Sequence, residues 1–293
     1  MGNSQSGILA DVPQVARYVS FSIVPDSNPA AVIQEMPSFI DGDSCVVGFG
    51  APLVSALDAT VPGLSVFPNL SGKGIATPST QSALWCWLRG NDRGDLIHQT
   101  LTLQNQLGAA FEIDDVVDAF QYVDSRDLTG YIDGTENPVG DDAVDAAIVK
   151  NAGSGMDGSS FVAVQQWVHD LSHFHSFTQD EQDNIFGRRK SDNEEFADAP
   201  DSAHVKRTAQ ESFDPDAFVV RRSMPWCDAS DEGLVFVAFG HSFTAFEAQL
   251  KRMMGLEDGI VDSLFRFTRP VSGEYYWCPP MKGGKLDLSA LAK

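Results

Sequence analysis

Cysteine is scarce: Cys45, Cys86, Cys227 and Cys278 are the only four in 293 residues, and no two form a C-x-x-C pair. Their scatter excludes a disulfide framework and a cysteine-built zinc site, and it fits a reducing compartment. Basic charge is scarce as well. Lys and Arg number 20 against 41 Asp and Glu, a formal net charge of −21. Such a surface repels phosphate, so neither nucleic acid nor an anionic membrane is an expected partner. No apolar run reaches the length of a membrane-spanning helix. The first residues, MGNSQSGILADVPQ, hold no basic stretch followed by an apolar run and no twin arginine. No export signal is therefore expected, and a cytoplasmic location is. Gly2 and Ser6 satisfy the permissive myristoylation pattern, a match read as coincidence.

What is present is the composition of a folded chain, 43% hydrophobic and 10% aromatic. That suffices for one large core or two moderate ones. In the second half, Ser160–Val168, Ala217–Arg222, Gly233–Gly240 and Glu274–Cys278 read as strands. Thr178–Phe186 and Thr244–Gly255 read as helices, the second stopping at Gly255. The order β-α-β-β-α-β is that of a ferredoxin-like unit. The first half repeats it less clearly, with strands at 17–24, 45–50 and 83–89, helices near 28–36 and 93–107, and a strand opening at Phe111. The expected fold is α+β: duplicated ferredoxin-like halves with antiparallel sheets and peripheral helices. The halves are placed at residues 1–140 and 155–293, joined through the Gly-rich stretch Pro138–Ser159.

Two constellations could carry chemistry. The first is H-D-L-S-H-F-H, from His169 to His175. Its i, i+4 spacing could bind zinc if helical, with Asp170 or Asp180 to hand. Because Phe174 and Phe177 interrupt it, a loop of partly exposed side chains is the preferred reading. The second is G-Y-I-D-G-T-E-N-P, Gly130 to Pro138. Glycine permits close backbone approach or positive φ, and an aspartate beside apolar residues can serve as acid or base. A tight turn with a capping Asp133 fits the same residues.

The second motif does not stand alone. GYIDGTENP resembles the G-x-x-D-G signature of dye-decolorising peroxidases, in the form found in the compact bacterial subfamily. FGRRK (186–190), SAHVKR (202–207), VRRSMPW (220–226) and LFRFTRPVSGEYYWCP (264–279) resemble that family's later landmarks, in order. The resemblance extends from SGIL (6–9) to Pro279.

Membership would imply a haem peroxidase that binds haem b (iron protoporphyrin IX), mainly in the second half. It would reduce hydrogen peroxide while oxidising a dye, a phenol or another small one-electron donor. By the resemblance His204 is the axial iron ligand, and Asp262 is the carboxylate behind its second ring nitrogen. Asp133 is the distal proton-transfer group. Arg221 is the cation that balances charge as the O–O bond breaks. Arg222 is its rival, but strand alternation lets only one of the two face the haem. Gly134, Thr135, Asn137, Ser223 and Phe236 would contact the cofactor, and Arg188 would pair with a propionate. Ser223 stands where some relatives carry asparagine, and Tyr131 where phenylalanine is commoner. Tyr122, Tyr131, Trp226, Tyr275, Tyr276 and Trp277 are candidates for relaying electrons to bulky donors. A haem carrier or deferrochelatase-like role is the alternative, which the Asp133–Arg221 pair argues against. Family members form homodimers or larger homo-oligomers. The tail KGGKLDLSALAK lacks a convincing encapsulin cargo signal, so no such role is expected.

Overall fold

The computed structural model describes residues 3–292, so Gly2 of the myristoylation-like pattern lies outside it. Ten strands carry the framework: β1 Val15–Ile23, β2 Cys45–Phe49, β3 Leu84–Gly90, β4 Phe111–Phe120, β5 Ser160–His169, β6 Val220–Arg221, β7 Met224–Cys227, β8 Glu232–Gly240, β9 Thr268–Pro270 and β10 Glu274–Cys278. They form one ten-stranded antiparallel sheet that closes on itself. Around the ring β5 pairs with β10, then follow β2, β3, β1, β4, β7 and β8, and β8 returns to β5 over Gly233–Gly240. The two seams are narrow. Trp277 opposite Phe49 joins β10 to β2, and Ala119 opposite Trp226 joins β4 to β7.

Alternation along the strands produces two cores. Tyr18, Trp85, Trp87, Val164, Trp226, Val237, Phe239 and Tyr276 belong to one buried cluster contributed by both halves of the chain. Trp85 lies parallel to Trp87 and to Tyr276, and Trp87 reaches Phe239 of the other half. The opposite parity, including Val19, Val47, Cys86, Ala163, Ala238 and Tyr275, lies with helix residues such as Leu103 and Leu250.

Helices α1 Pro29–Glu35, α2 Arg93–Leu107, α3 Gly140–Ala147, α4 Leu171–Ser176, α5 Gln179–Phe186, α6 His204–Arg207 and α7 Thr244–Met253 complete the parts used below. None among the described residues is long and apolar enough to cross a membrane. Local chemistry sets their ends. Asp92 accepts from Gly94 N and Asp95 N at the start of α2. Thr178 and Glu181 form a capping box on α5, and Gly187 stops that helix at φ +80°.

Three sequence expectations are corrected. The stretch 138–159 is not an irregular connection throughout, because α3 forms inside it and buries Ala143, Ala146 and Ala147 on one face. The segment 171–176 is a helix and not a loop, capped by Asp170, which accepts from His173 N. The strand expected over 217–222 is reduced to Val220–Arg221, and Arg222 and Ser223 separate it from β7.

Candidate active site

A cavity lies against the helix-covered face of β5 and β8. Gln165, Trp167 and His169 of β5 line it, with Leu234 and Phe236 of β8 and Arg221 of β6. Helix α7 adds Phe246, Leu250 and Met253, α6 adds His204 and Val205, and the 131–136 segment adds Tyr131, Asp133 and Thr135. The cavity measures about 240 Å³ and opens to solvent at its mouth.

His204 opens the short helix α6, directly after the extended residue Ala203. Its Nδ1 donates to Asp262 Oδ2 at 2.8 Å. Asp262 is 1% exposed, and its other oxygen accepts from Leu264 N at 2.8 Å. Its own N–H is held by Met253 O at the end of α7. A carboxylate fixed in this way fixes the ring, keeps the proton on Nδ1 and leaves the Nε2 lone pair for a ligand.

Asp133 and Arg221 come together from positions 88 residues apart (221 − 133). Arg221 Nη1 lies 3.8 Å from Asp133 Oδ1. Gly134 N donates to the same Oδ1 at 2.7 Å. Both motif glycines have geometric reasons. Gly130 adopts φ +87° and Gly134 φ +79°, backbone conformations that other residues rarely adopt. Asn137, which ends the motif, clamps the arginine by its backbone. Its Oδ1 accepts from Arg221 N at 2.8 Å and its Nδ2 donates to Arg221 O at 3.0 Å. Asn137→Ala should therefore lower stability by about 1–3 kcal/mol, the cost of leaving half-buried peptide groups without partners. A urea unfolding midpoint equal to wild type would refute that role.

The remaining expected residues divide into two groups. Thr135, Arg188 and Phe236 line the cavity, whereas Gly134, Asn137 and Ser223 are not among its lining residues. The Ser223 hydroxyl accepts from Val237 N at 3.3 Å. Arg188 is held by Glu136 Oε1 at 2.6 Å and Glu195 Oε2 at 3.0 Å. Arg222 turns to the other face, where it donates to Leu9 O at 2.9 Å. Of the two arginines, Arg221 is the one that lines the cavity.

The histidine cluster does not converge. His173 and His175 are exposed on α4, and no group of His, Cys, Asp and Glu suited to a metal exists among the described residues. His169 goes elsewhere, into the cavity wall. Its Nε2 lies 3.0 Å from Asp127 Oδ2 and its Nδ1 lies 2.6 Å from Thr268 Oγ1. Burial would raise the Asp127 carboxyl, but bonds and charge from His169, with the Thr129 bonds, hold it below the usual carboxylate range. Sequence reasoning missed this pair, whose members stand 42 residues apart. It also missed Gln165, 1% exposed in the wall, whose Nε2 has no partner among the described residues.

The segment carrying Asp133 is bound to the second half of the chain, through Asp127 to His169, Tyr131 to Asp183 and Asn137 to Arg221. The sequence model described as Dyp-type peroxidase, C-terminal, matches residues 124–283, a span that begins before this segment. The chain belongs to the Dyp-type peroxidase family. A dye-decolorizing peroxidase of Brevibacterium linens is 30% identical over 244 residues, 80% of this chain and 66% of that relative. One from Mycobacterium tuberculosis is 28% identical, covering 94% of this chain and 88% of its own length. Among solved structures, a dye-decolorizing protein from V. cholerae superposes with a TM-score of 0.84 at 30% identity, over 94% of this chain and 96% of that one. A DypB variant of Rhodococcus jostii in complex with heme gives 0.86 at 26% identity, over 93% and 94%. The Dyp-type family accounts for the mixed α/β architecture and its antiparallel sheet.

Proposed function

We propose that the cavity binds haem b and that the chain is a hydrogen-peroxide-dependent peroxidase acting on a small one-electron donor. The observation that carries this is His204, whose Nδ1 is engaged by the buried Asp262 while its ring faces a cavity shared with Asp133 and Arg221. The residues fit the group. Imidazole suits iron, and Leu234, Phe236, Phe246, Leu250, Met253 and Leu264 supply apolar wall for a flat macrocycle. Arg188 supplies a guanidinium for a propionate, in exchange for the carboxylates it now holds. The proposed haem-binding half is therefore the second.

When bound, haem supplies the iron at which hydrogen peroxide binds and is reduced. The chain's own residues do the rest. Asp262 anchors the His204 ring, and its negative charge makes the imidazole a stronger donor. Asp133 keeps Oδ1 on Gly134 N, so Oδ2 is the atom that takes the proton from one peroxide oxygen and returns it to the other. Arg221 offers a fixed positive charge to the leaving oxygen. A carrier would have no use for an acid and a guanidinium placed together at the cavity, so the structure offers no support for that alternative.

We also propose that the fold is a ferredoxin-like duplication. The supporting observation is strand order. It runs fourth-first-third-second in both halves, as β4-β1-β3-β2 and β10-β5-β8-β7.

The test is a haem titration of the purified chain, followed by hydrogen peroxide and a phenolic donor. A Soret band saturating at one haem per chain and donor oxidation well above that of free haem are expected. Saturation without oxidation would leave only haem binding and sink the peroxidase reading.

A further inference from the structure

Tyr131 stands two residues before Asp133, lines the same cavity as His204 and is 4% exposed. Its ring stacks on Phe186 with centroids 3.9 Å apart and planes 16° apart. Its hydroxyl donates to Asp183 Oδ1 in a short bond, and Asp183 is itself buried. The same oxygen accepts from Gln179 Nε2 at 2.8 Å and from Lys190 N at 3.1 Å. Gln179 Nε2 also donates to the phenol oxygen at 3.2 Å. The ammonium of Lys190 lies 5.5 Å from the ring centroid, tethered by a 2.7 Å bond to Thr129 O. No step of the mechanism above uses this group.

Its surroundings dictate how it could be oxidised. Burial, then the bond and charge of Asp183, push the phenol well above its ordinary pKa, so tyrosinate is not populated. The nearby Lys190 charge opposes a ring that is positive. An electron can therefore leave only together with the phenolic proton, and the proton has one carboxylate to go to.

We infer that Tyr131 is an internal one-electron donor in the cavity wall, giving its electron to the oxidised cofactor and its phenolic proton to Asp183. The step balances: the O–H bond of Tyr131 breaks, the proton joins Asp183 Oδ1, one electron reduces the cofactor by one equivalent, and a neutral phenoxyl radical remains. The oxidant is the peroxide-treated haem, so the inference rests on the reading given above. Tyr275 is the rival, since it contacts Phe246 of the cavity wall at 6.0 Å between centroids.

The experiment is freeze-quench electron paramagnetic resonance on haem-loaded protein mixed with one equivalent of hydrogen peroxide and no donor. Wild type should give a tyrosyl signal that narrows when tyrosine is deuterated. Tyr131→Phe, a change of one buried oxygen, should lose most of it, and Tyr275→Phe should keep it. Asp183→Asn should lower the radical yield and abolish the slowing of its formation in D₂O. A signal that survives Tyr131→Phe and vanishes in Tyr275→Phe overturns the inference, as does an Asp183→Asn protein with wild-type yield and isotope effect. Soret spectra of the same samples keep the two readings separate: absence of the band in wild type defeats haem binding itself, whereas a normal band with an unchanged radical in Tyr131→Phe defeats only the donor role.

Discussion

His204→Ala protein given one equivalent of haem should show no wild-type Soret band and lose haem affinity by more than about 100-fold. The magnitude follows from the position of the residue. Removing a partner behind a metal ligand typically costs ~10–100-fold in affinity, and His204 is the ligand itself. Asp262→Asn should fall within that lower range, because it keeps the side-chain shape and removes the charge behind Nδ1. Added imidazole should restore part of the band in His204→Ala, since the substitution leaves a space of its own size. The measurement is a haem titration of wild type and both variants. If His204→Ala titrates as wild type does, the iron is held by another residue and the site must be reassigned.

Arg221→Leu should slow the reaction with hydrogen peroxide by about 10²–10³-fold while leaving haem affinity nearly intact. A preorganised charge aimed at a leaving oxygen is worth that much in a water-poor cavity. Asp133→Asn tests the proton-transfer half, and the double variant tests their coupling. Groups that act as one unit lose little more together than singly, whereas independent groups multiply their losses. The 3.8 Å separation of Arg221 Nη1 and Asp133 Oδ1 favours the first outcome. Stopped-flow spectra of haem-loaded protein report the rate directly. Unchanged rates in both single variants would remove Asp133 and Arg221 from the mechanism.

The ordered motifs pointed to His204, Asp133 and Arg221, which the fold brings to one cavity, and the resemblance added Asp262, which the fold sets behind His204. Strand alternation said that only one of Arg221 and Arg222 could face the cavity, and the spacing to Met224-Pro225 favoured Arg221. What stayed hidden are bonds that no spacing encodes. Asn137 holds a peptide group 84 residues away, and His169 finds Asp127 only after β5 has been laid in the ring. The histidine-rich stretch misled for the same reason: His169 ends a strand while His173 and His175 ride a separate helix. Some elements were readable to the residue, as with Arg93–Leu107 and Glu274–Cys278. Helix α3 was not, because its alanines look as bland in a Gly-rich connection as they do in a core.

The two narrow seams of the ring have a consequence for the nascent chain. The first half emerges with β2 and β4 as free sheet edges, each a template for pairing with another copy. Strand β4 carries Glu112, Asp114, Asp115 and Asp118, charges that deter a second chain from docking along it. Strand β2, Cys-Val-Val-Gly-Phe, carries none. Its cover arrives with Trp277, which is synthesised 228 residues after Phe49 (277 − 49). During synthesis the vulnerable point is thus a five-residue apolar edge that takes no part in lining the cavity. All five residues of β2 are buried in the finished ring, so the edge has no place for a guarding charge and its protection rests on the arrival of β10.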